Sequence, residues 1–266
     1  MEKGIYLNSV PVPLRERQLE YLRILKELDR YCVENGLSYY LSCGTLLGAV
    51  RHKGFIPWDD DLDVVMPRPD YLKLCQNYVS EEFNFRSIRN DKSHAHVFGR
   101  LCSNDFYRIV MNKPLYNVGI DVYVINGAPS SPDDQKKLFK EVNVHIKRAN
   151  FLNRVRRNLV KRGLWPHQDL DFVLQNKELF KAERCFERYD YETSEYVWPY
   201  GGGCMILKKE LYGTPVRLQF EDSSFLAPEH YHEILSRGYG DYMKLPPEED
   251  RHPVHGGVIY RMRRFL

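Results

Sequence analysis

The sequence predicts an α+β protein, a mixed sheet with acidic strands flanked by helices. Three observations predict it. Residues 14–35 place Leu22, Leu25, Leu28 and Cys32 at helical spacing and stop at Gly36. Two short apolar runs, 61–66 and 119–125, have the length and composition of strands and carry Asp61, Asp63 and Asp121. A long basic stretch, 135–162, reads as helix.

The remaining elements follow in order. Residues 38–42 read as a short strand, and Gly44-Thr45 turns it into a short helix over 46–50. Gly54 and Pro57 break that helix. Pro67 ends the strand at 61–66, and 68–79 is helical. Residues 83–103 and 106–111 hold strands and turns. After the basic helix, 164–200 reads as weakly patterned helix, and Gly201-Gly202-Gly203 as a turn. Residues 216–225 form a hairpin-like pair and 229–237 a helix. The tail from 238 to 266, with Pro246, Pro247 and Pro253, reads as irregular.

At 266 residues and 43% hydrophobic content the chain can fill one large domain, which excludes global disorder. The net charge of +3 is nearly balanced, but cations cluster between Lys136 and Arg162, where the only acid is Glu141. That segment suits an acidic acceptor or a peripheral membrane-surface contact. Nucleic acid is not expected, because aromatics are poorly interleaved there. The six cysteines show no CxxC pair, and no apolar stretch approaches a membrane span. Without an apolar run behind the first charges, the expectation is a cytoplasmic protein with reduced thiols.

The chemistry is carried by Trp58-Asp59-Asp60-Asp61-Leu62-Asp63. Side chains alternate along a strand, so Asp61 and Asp63 share one face while Leu62, Val64 and Met66 share the other. Carboxylates this close repel, and a divalent cation offsets the repulsion. Hard oxygen ligands select Mg2+ or Mn2+. Asp59 joins them as an auxiliary ligand if the extended geometry reaches back that far, and Asp60 faces away.

Upstream, Gly44 allows close backbone approach and the Thr45 hydroxyl can donate to a phosphate at a helix N-terminus. Arg51 and Lys53 can add charge. Asp121, on a second apolar strand, is the third acid, as metal ligand or general base. A cationic headgroup would need an aromatic wall, and Trp58, Tyr107, Trp198 and Tyr239 are candidates. His94, His96, His252 and His255 read as ordinary surface or core histidines.

Residues 41–64, from Leu41-Ser42-Cys43-Gly44-Thr45 through Trp58-Asp59-Asp60-Asp61-Leu62-Asp63-Val64, resemble the signature of the LicD family. Phe220-Glu221-Asp222, Tyr239-Gly240-Asp241-Tyr242 and Pro246-Pro247 resemble its distal segment. The resemblance implies a nucleotidyltransferase-like mixed sheet in a single catalytic domain over 1–266, with a variable basic helical insertion at about 132–200. It implies an enzyme that transfers a phospho-group, foremost phosphocholine from CDP-choline, to a hydroxyl of a cell-surface glycan or glycolipid precursor, releasing CMP. Asp61, Asp63 and Asp121 would be catalytic. Gly44, Thr45, Arg51, Lys53 and Trp58 would bind substrate. Two other readings stand beside it: a nucleotide-sugar glycosyltransferase using an Asp-x-Asp metal site, and a non-catalytic glycan-binding module.

Overall fold

In the computed structural model, which describes residues 11–110, 113–162, 173–201, 205–255 and 259–261, helix α1 spans Leu14–Asn35, as its apolar spacing predicts. Ile24, Leu25, Leu28 and Cys32 are fully buried, each aliphatic one worth roughly 1.5–3 kcal/mol of transfer free energy. Gly36 ends the helix at φ 62°, in the left-handed region that suits glycine.

Short strand β1 (Tyr40–Leu41) leads directly into α2 (Cys43–Arg51). The helix begins three residues earlier than the sequence suggests, so Gly44-Thr45 lies inside its first turn. Strand β2 is Asp63–Pro67, followed at once by α3 (Arg68–Asn77). Asp61 therefore precedes the strand, and its side chain is not placed by strand alternation. Strands β3 (Phe83–Arg86), β4 (Gly99–Val110) and β5 (Lys113–Ala128) come next, β4 and β5 pairing as a long antiparallel ribbon.

Helices α4 (Pro132–Lys161) and α5 (Val173–Glu187) form the insertion. Residues 196–200, expected to be helical, are instead strand β6 (Tyr196–Tyr200), paired antiparallel with β5. Tyr, Val and Trp there favour a pleated surface, and an open β5 edge supplies the partner. Part of the expected 164–200 helix and two of the three expected turn glycines lie outside the described residues. Strand β7 (Leu207–Lys208), the hairpin β8 (Val216–Phe220) with β9 (Ser223–Ala227), helix α6 (Tyr231–Tyr239) and strand β10 (Ile259–Arg261) complete the chain. The tail is thus not wholly irregular, because β10 pairs with β4.

The main sheet runs β1-β2-β5-β4-β10, with β3 on β4 and β6-β7 joined to β5. Among the described residues only β2 and β5 pair in parallel, with Asp63 opposite Asp121. One core lies between this sheet, α1, α2 and the β8-β9 hairpin; a second lies between α4, α5 and β6. Arg68, at the start of α3, joins the two. It donates to Asn126 Oδ1 at 2.9 Å on β5 and pairs with Glu183 and Glu187 on α5 at 3.4 and 3.0 Å. Among the described residues no helix is long and apolar enough to cross a membrane.

Candidate active site

Four of the predicted residues meet where β2 and β5 run in parallel. Register partners on neighbouring strands point the same way, so Asp63 and Asp121 stand side by side on one face. Asp63 is buried, and its backbone N–H donates to Thr45 Oγ1 at 2.9 Å. Thr45 is buried as well. Its oxygen thus fixes the strand that carries Asp63, a positioning task that the phosphate-donor expectation did not include. Burial pushes the Asp63 carboxyl well above the usual range, and Asp61, Asp121 and Asp59 push it further.

Asp59 lies against the first turn of α2. A Cβ on Gly44 would meet Asp59 Oδ2 at 2.8 Å, so any larger residue there would make the Asp59 carboxyl shift. The helix N-terminus favours negative charge at that point. Burial first and Asp61 second raise the Asp59 pKa to about 8. Its protonated form donates to Asp61, whose own pKa burial also raises while His255 pulls it down. The place expected for a phosphate at this helix end is therefore occupied by a carboxyl group of the chain itself.

Asp60, expected to face away from the other acids, has partners of its own but shares His255 with Asp61. It is buried, lies 3.6 Å from Arg17 Nη2, and accepts from the backbone N–H groups of Val254 and His255, each at 3.2 Å. The His255 ring nitrogen Nδ1 sits 3.3 Å from Asp60 Oδ1 and 3.2 Å from Asp61 Oδ2. His255, read from sequence as an ordinary histidine, thus sits at the acids. Gln18 Nε2 on α1 donates to the Asp59 carbonyl at 2.9 Å, and the Tyr21 hydroxyl to the Asp60 carbonyl at 3.2 Å. The acidic loop is held from both ends of the sequence.

Asp121 forms an ion pair with Arg100 Nε at 2.6 Å, and the Tyr123 hydroxyl donates to its Oδ2 at 3.4 Å. Burial works against the Arg100 charge, but Asp121, with Cys102 and Tyr21, outweighs it and the guanidinium pKa rises. No sequence signal marks Arg100. Its place follows from the β4-β5 register, which sets it opposite Asp121.

The other predicted residues have different employment. Arg51 donates to the carbonyls of Tyr242 and Lys244 at 2.8 and 3.2 Å, tying α2 to the segment after α6. Lys53 is exposed at φ 58°, and its carbonyl accepts from Glu221 N–H at 2.7 Å. Trp58 is half-buried, with the Arg251 guanidinium 5.8 Å from its ring centre. Trp198 cannot be a ligand wall. It is 1% exposed in the second core, packed against Phe139, Phe186 and Tyr200. His94 is a core histidine whose Nε2–H donates to the Phe98 carbonyl at 2.6 Å, and burial lowers its pKa to about 3. The Tyr107 side chain lies outside the described residues.

Tyr239, 48% exposed, is the aromatic candidate whose hydroxyl feels the charge of the acids. Burial raises its hydroxyl pKa, and Cys43, Asp63, Asp59 and Asp61 add to the shift. It lines a cavity of about 310 Å³ together with Cys43, Leu46, Val65, Pro199, Met205, Leu207, Tyr212, Pro228 and Leu235 among others. Cys43 joins that cavity to the cluster, because its thiol and the Asp63 carboxyl lie close enough to shift one another's pKa.

The carboxyl set fits a hard divalent cation in its chemistry. Asp63 Oδ1 is buried without a hydrogen-bond partner among the described residues, and three neighbouring carboxyls carry raised pKa values. The described His, Cys, Asp and Glu side chains do not yet converge on one point as ligands would. Arg100 draws Asp121 aside, and Asp59 and His255 engage Asp61.

Close carboxyls on parallel strands beside a helix N-terminus make a centre of the kind that works on charged phosphate groups. Residues 36–199 match the family described as LicD/FKTN/FKRP, nucleotidyltransferase domain. The chain belongs to the LicD family, and it is a phosphotransferase. It is 31% identical to the lipopolysaccharide cholinephosphotransferase LicD of Haemophilus influenzae over 91% of this chain and 96% of that one. It is 49% identical to the human ribitol 5-phosphate transferase FKRP over 40% of this chain and 22% of that one.

Proposed function

We propose that this enzyme transfers phosphocholine from CDP-choline to a hydroxyl of a cell-surface glycan or glycolipid precursor and releases CMP. The observation that carries the choice of group is the cavity beside Asp63. Its walls are chiefly aliphatic side chains with Tyr212 and Tyr239, and the lining residues Cys43 and Tyr239 feel the charge of Asp63. A trimethylammonium head has no hydrogen-bond donors and is favoured by aromatic faces and nearby anions. A polyol such as ribitol would leave its hydroxyls unpaired against Leu46, Val65 and Leu207, at a cost of about 1–3 kcal/mol per buried group.

Asp61 and Asp63 would hold Mg2+ or Mn2+, with Asp59 as an auxiliary ligand. The cation, when bound, supplies charge neutralisation for the donor diphosphate. The chain's own residues do the rest. Thr45 holds Asp63 in register. Asp121, oriented by Arg100 and Tyr123, takes the proton of the acceptor hydroxyl as its oxygen bonds to the choline-bearing phosphorus. The bond from that phosphorus to the CMP oxygen breaks, and CMP leaves. Gly44 keeps the approach at the start of α2 open for Asp59.

A donor screen with purified protein and Mg2+, reading nucleotide release from CDP-choline, CDP-ribitol, CDP-glycerol and UDP-sugars, tests this. CDP-choline is the expected substrate. Preferred turnover of CDP-ribitol would refute the choline assignment, and UDP release would return the glycosyltransferase alternative. Donor binding that is indifferent to Mg2+, without turnover, would favour a non-catalytic binding module.

A further inference from the structure

Helix α4 has two unlike faces. Leu138, Val142 and Ala149 are buried against α5, in the core that contains Leu179, Ala182 and Phe186. On the opposite side Lys140, Val144, Lys147, Arg148, Phe151, Arg154 and Val155 are all exposed. Their offsets of 0, 4, 7, 8, 11, 14 and 15 residues place them on one arc of the helix. Phe151 is 55% exposed, Val144 39% and Val155 38%. The Arg154 guanidinium lies 5.7 Å from the Phe151 ring centre. Glu141, the only carboxylate between residues 135 and 162, is turned off this arc and ion-paired with Arg188 at 2.6 Å.

A solvated helix face would carry mixed charges and no such apolar side chains. An acidic glycan would answer the cations but offer nothing to Phe151, Val144 and Val155. An anionic bilayer answers both, because headgroup phosphates pair with Lys and Arg while the apolar side chains enter the region beneath them. The long stems of Lys140, Lys147 and Arg154 let their charges rise to the headgroups while Phe151 goes deeper. We propose that this face of α4 docks the enzyme onto an anionic lipid surface. The arc from Lys140 to Val155 is about 22 Å long at about 1.5 Å per residue, enough to lie along the interface and too polar to cross it.

The inference concerns lipid binding rather than turnover, so it stands or falls separately from the choline assignment. The test is co-sedimentation of the full chain with vesicles of phosphatidylcholine alone or of phosphatidylcholine with one-quarter phosphatidylglycerol. We expect binding to the anionic vesicles at 50 mM salt, at least tenfold weaker binding at 500 mM salt, and none to the neutral ones. Lys140→Gln with Lys147→Gln and Arg154→Gln should weaken binding at least tenfold. Phe151→Ser should weaken it several-fold and leave the salt dependence unchanged. All these positions are exposed, so thermal melting should match the wild type, and the wild-type vesicle and salt arms decide the question without the variants. Failure of the wild type to bind anionic vesicles at low salt overturns the proposal. So does unaltered binding by Phe151→Ser together with full displacement by soluble polyphosphate, which would mark the face as a general anion site.

Discussion

The two halves of this molecule handle like charge in opposite ways. Around β2 and β5, carboxyl groups are packed together out of water and their pKa values rise. Along α4, cations of one sign are spread over an exposed face with water between them. Buried like charges destabilise a fold, so their retention points to a ligand that offsets them. Exposed like charges cost little, and their arrangement speaks of a surface partner.

The largest expected effect lies at the acids. Asp61→Asn or Asp63→Asn should lower phospho-transfer by at least about 10³-fold, roughly 4 kcal/mol of barrier, with the circular dichroism spectrum unchanged. Full activity in both variants would end the assignment of the centre.

Next comes the link between the halves. Arg68→Ala would leave Glu183, buried on α5, without one of its two cationic partners, Arg89 being the other at 2.8 Å. Urea unfolding should report a loss of about 3 kcal/mol. If the loss is negligible, the insertion and the sheet are held by apolar contacts alone.

A smaller loss is expected at Thr45. Thr45→Val strands the buried Asp63 N–H, costing about 1–3 kcal/mol, and Thr45→Ser should restore most of it. Equal stability of the valine and serine variants would show that the hydroxyl does not hold the strand.

The pH dependence is the mildest test. Asp59, Asp61 and Asp63 have raised pKa values, so the folded state binds more protons than the unfolded one. Without divalent cation, stability should fall as pH rises from the unfolded value near 4 through about 8, the Asp59 value. Asp59→Asn should flatten the upper part of that slope in melting experiments, and saturating Mg2+ should do the same for the wild type. A Tm that rises over pH 6–8 in the metal-free protein would contradict the buried-acid picture.

Local pattern made much of this legible. Helix α1, the β8-β9 hairpin and the Asp63–Asp121 strands follow from spacing and turn residues close in sequence. The acids and Gly44-Thr45 were readable because a short segment carries them. What was hidden depends on distant partners. Arg100 meets Asp121 only through strand register. His255 reaches Asp61 only because the segment before β10 folds back. Residues 196–200 became a strand because β5 offered an edge, and Trp198, a plausible ligand wall by composition, is claimed by the second core. Thr45 was singled out for the right place and given a different task.

The clamp on Asp60 sets an order of events during synthesis. The hydrogen bond from Val254 N–H spans 194 residues of chain, so a ribosome displays the acidic loop long before its fastener exists. Until residues 254 and 255 have emerged, Asp60 is held by Arg17 and, through its carbonyl, by Tyr21, and Asp61 lacks His255. The newborn chain therefore has strands β1 to β9 in hand before it can complete its centre, and a product stopped short of residue 254 would lack β10 and stay unfastened where the chemistry occurs.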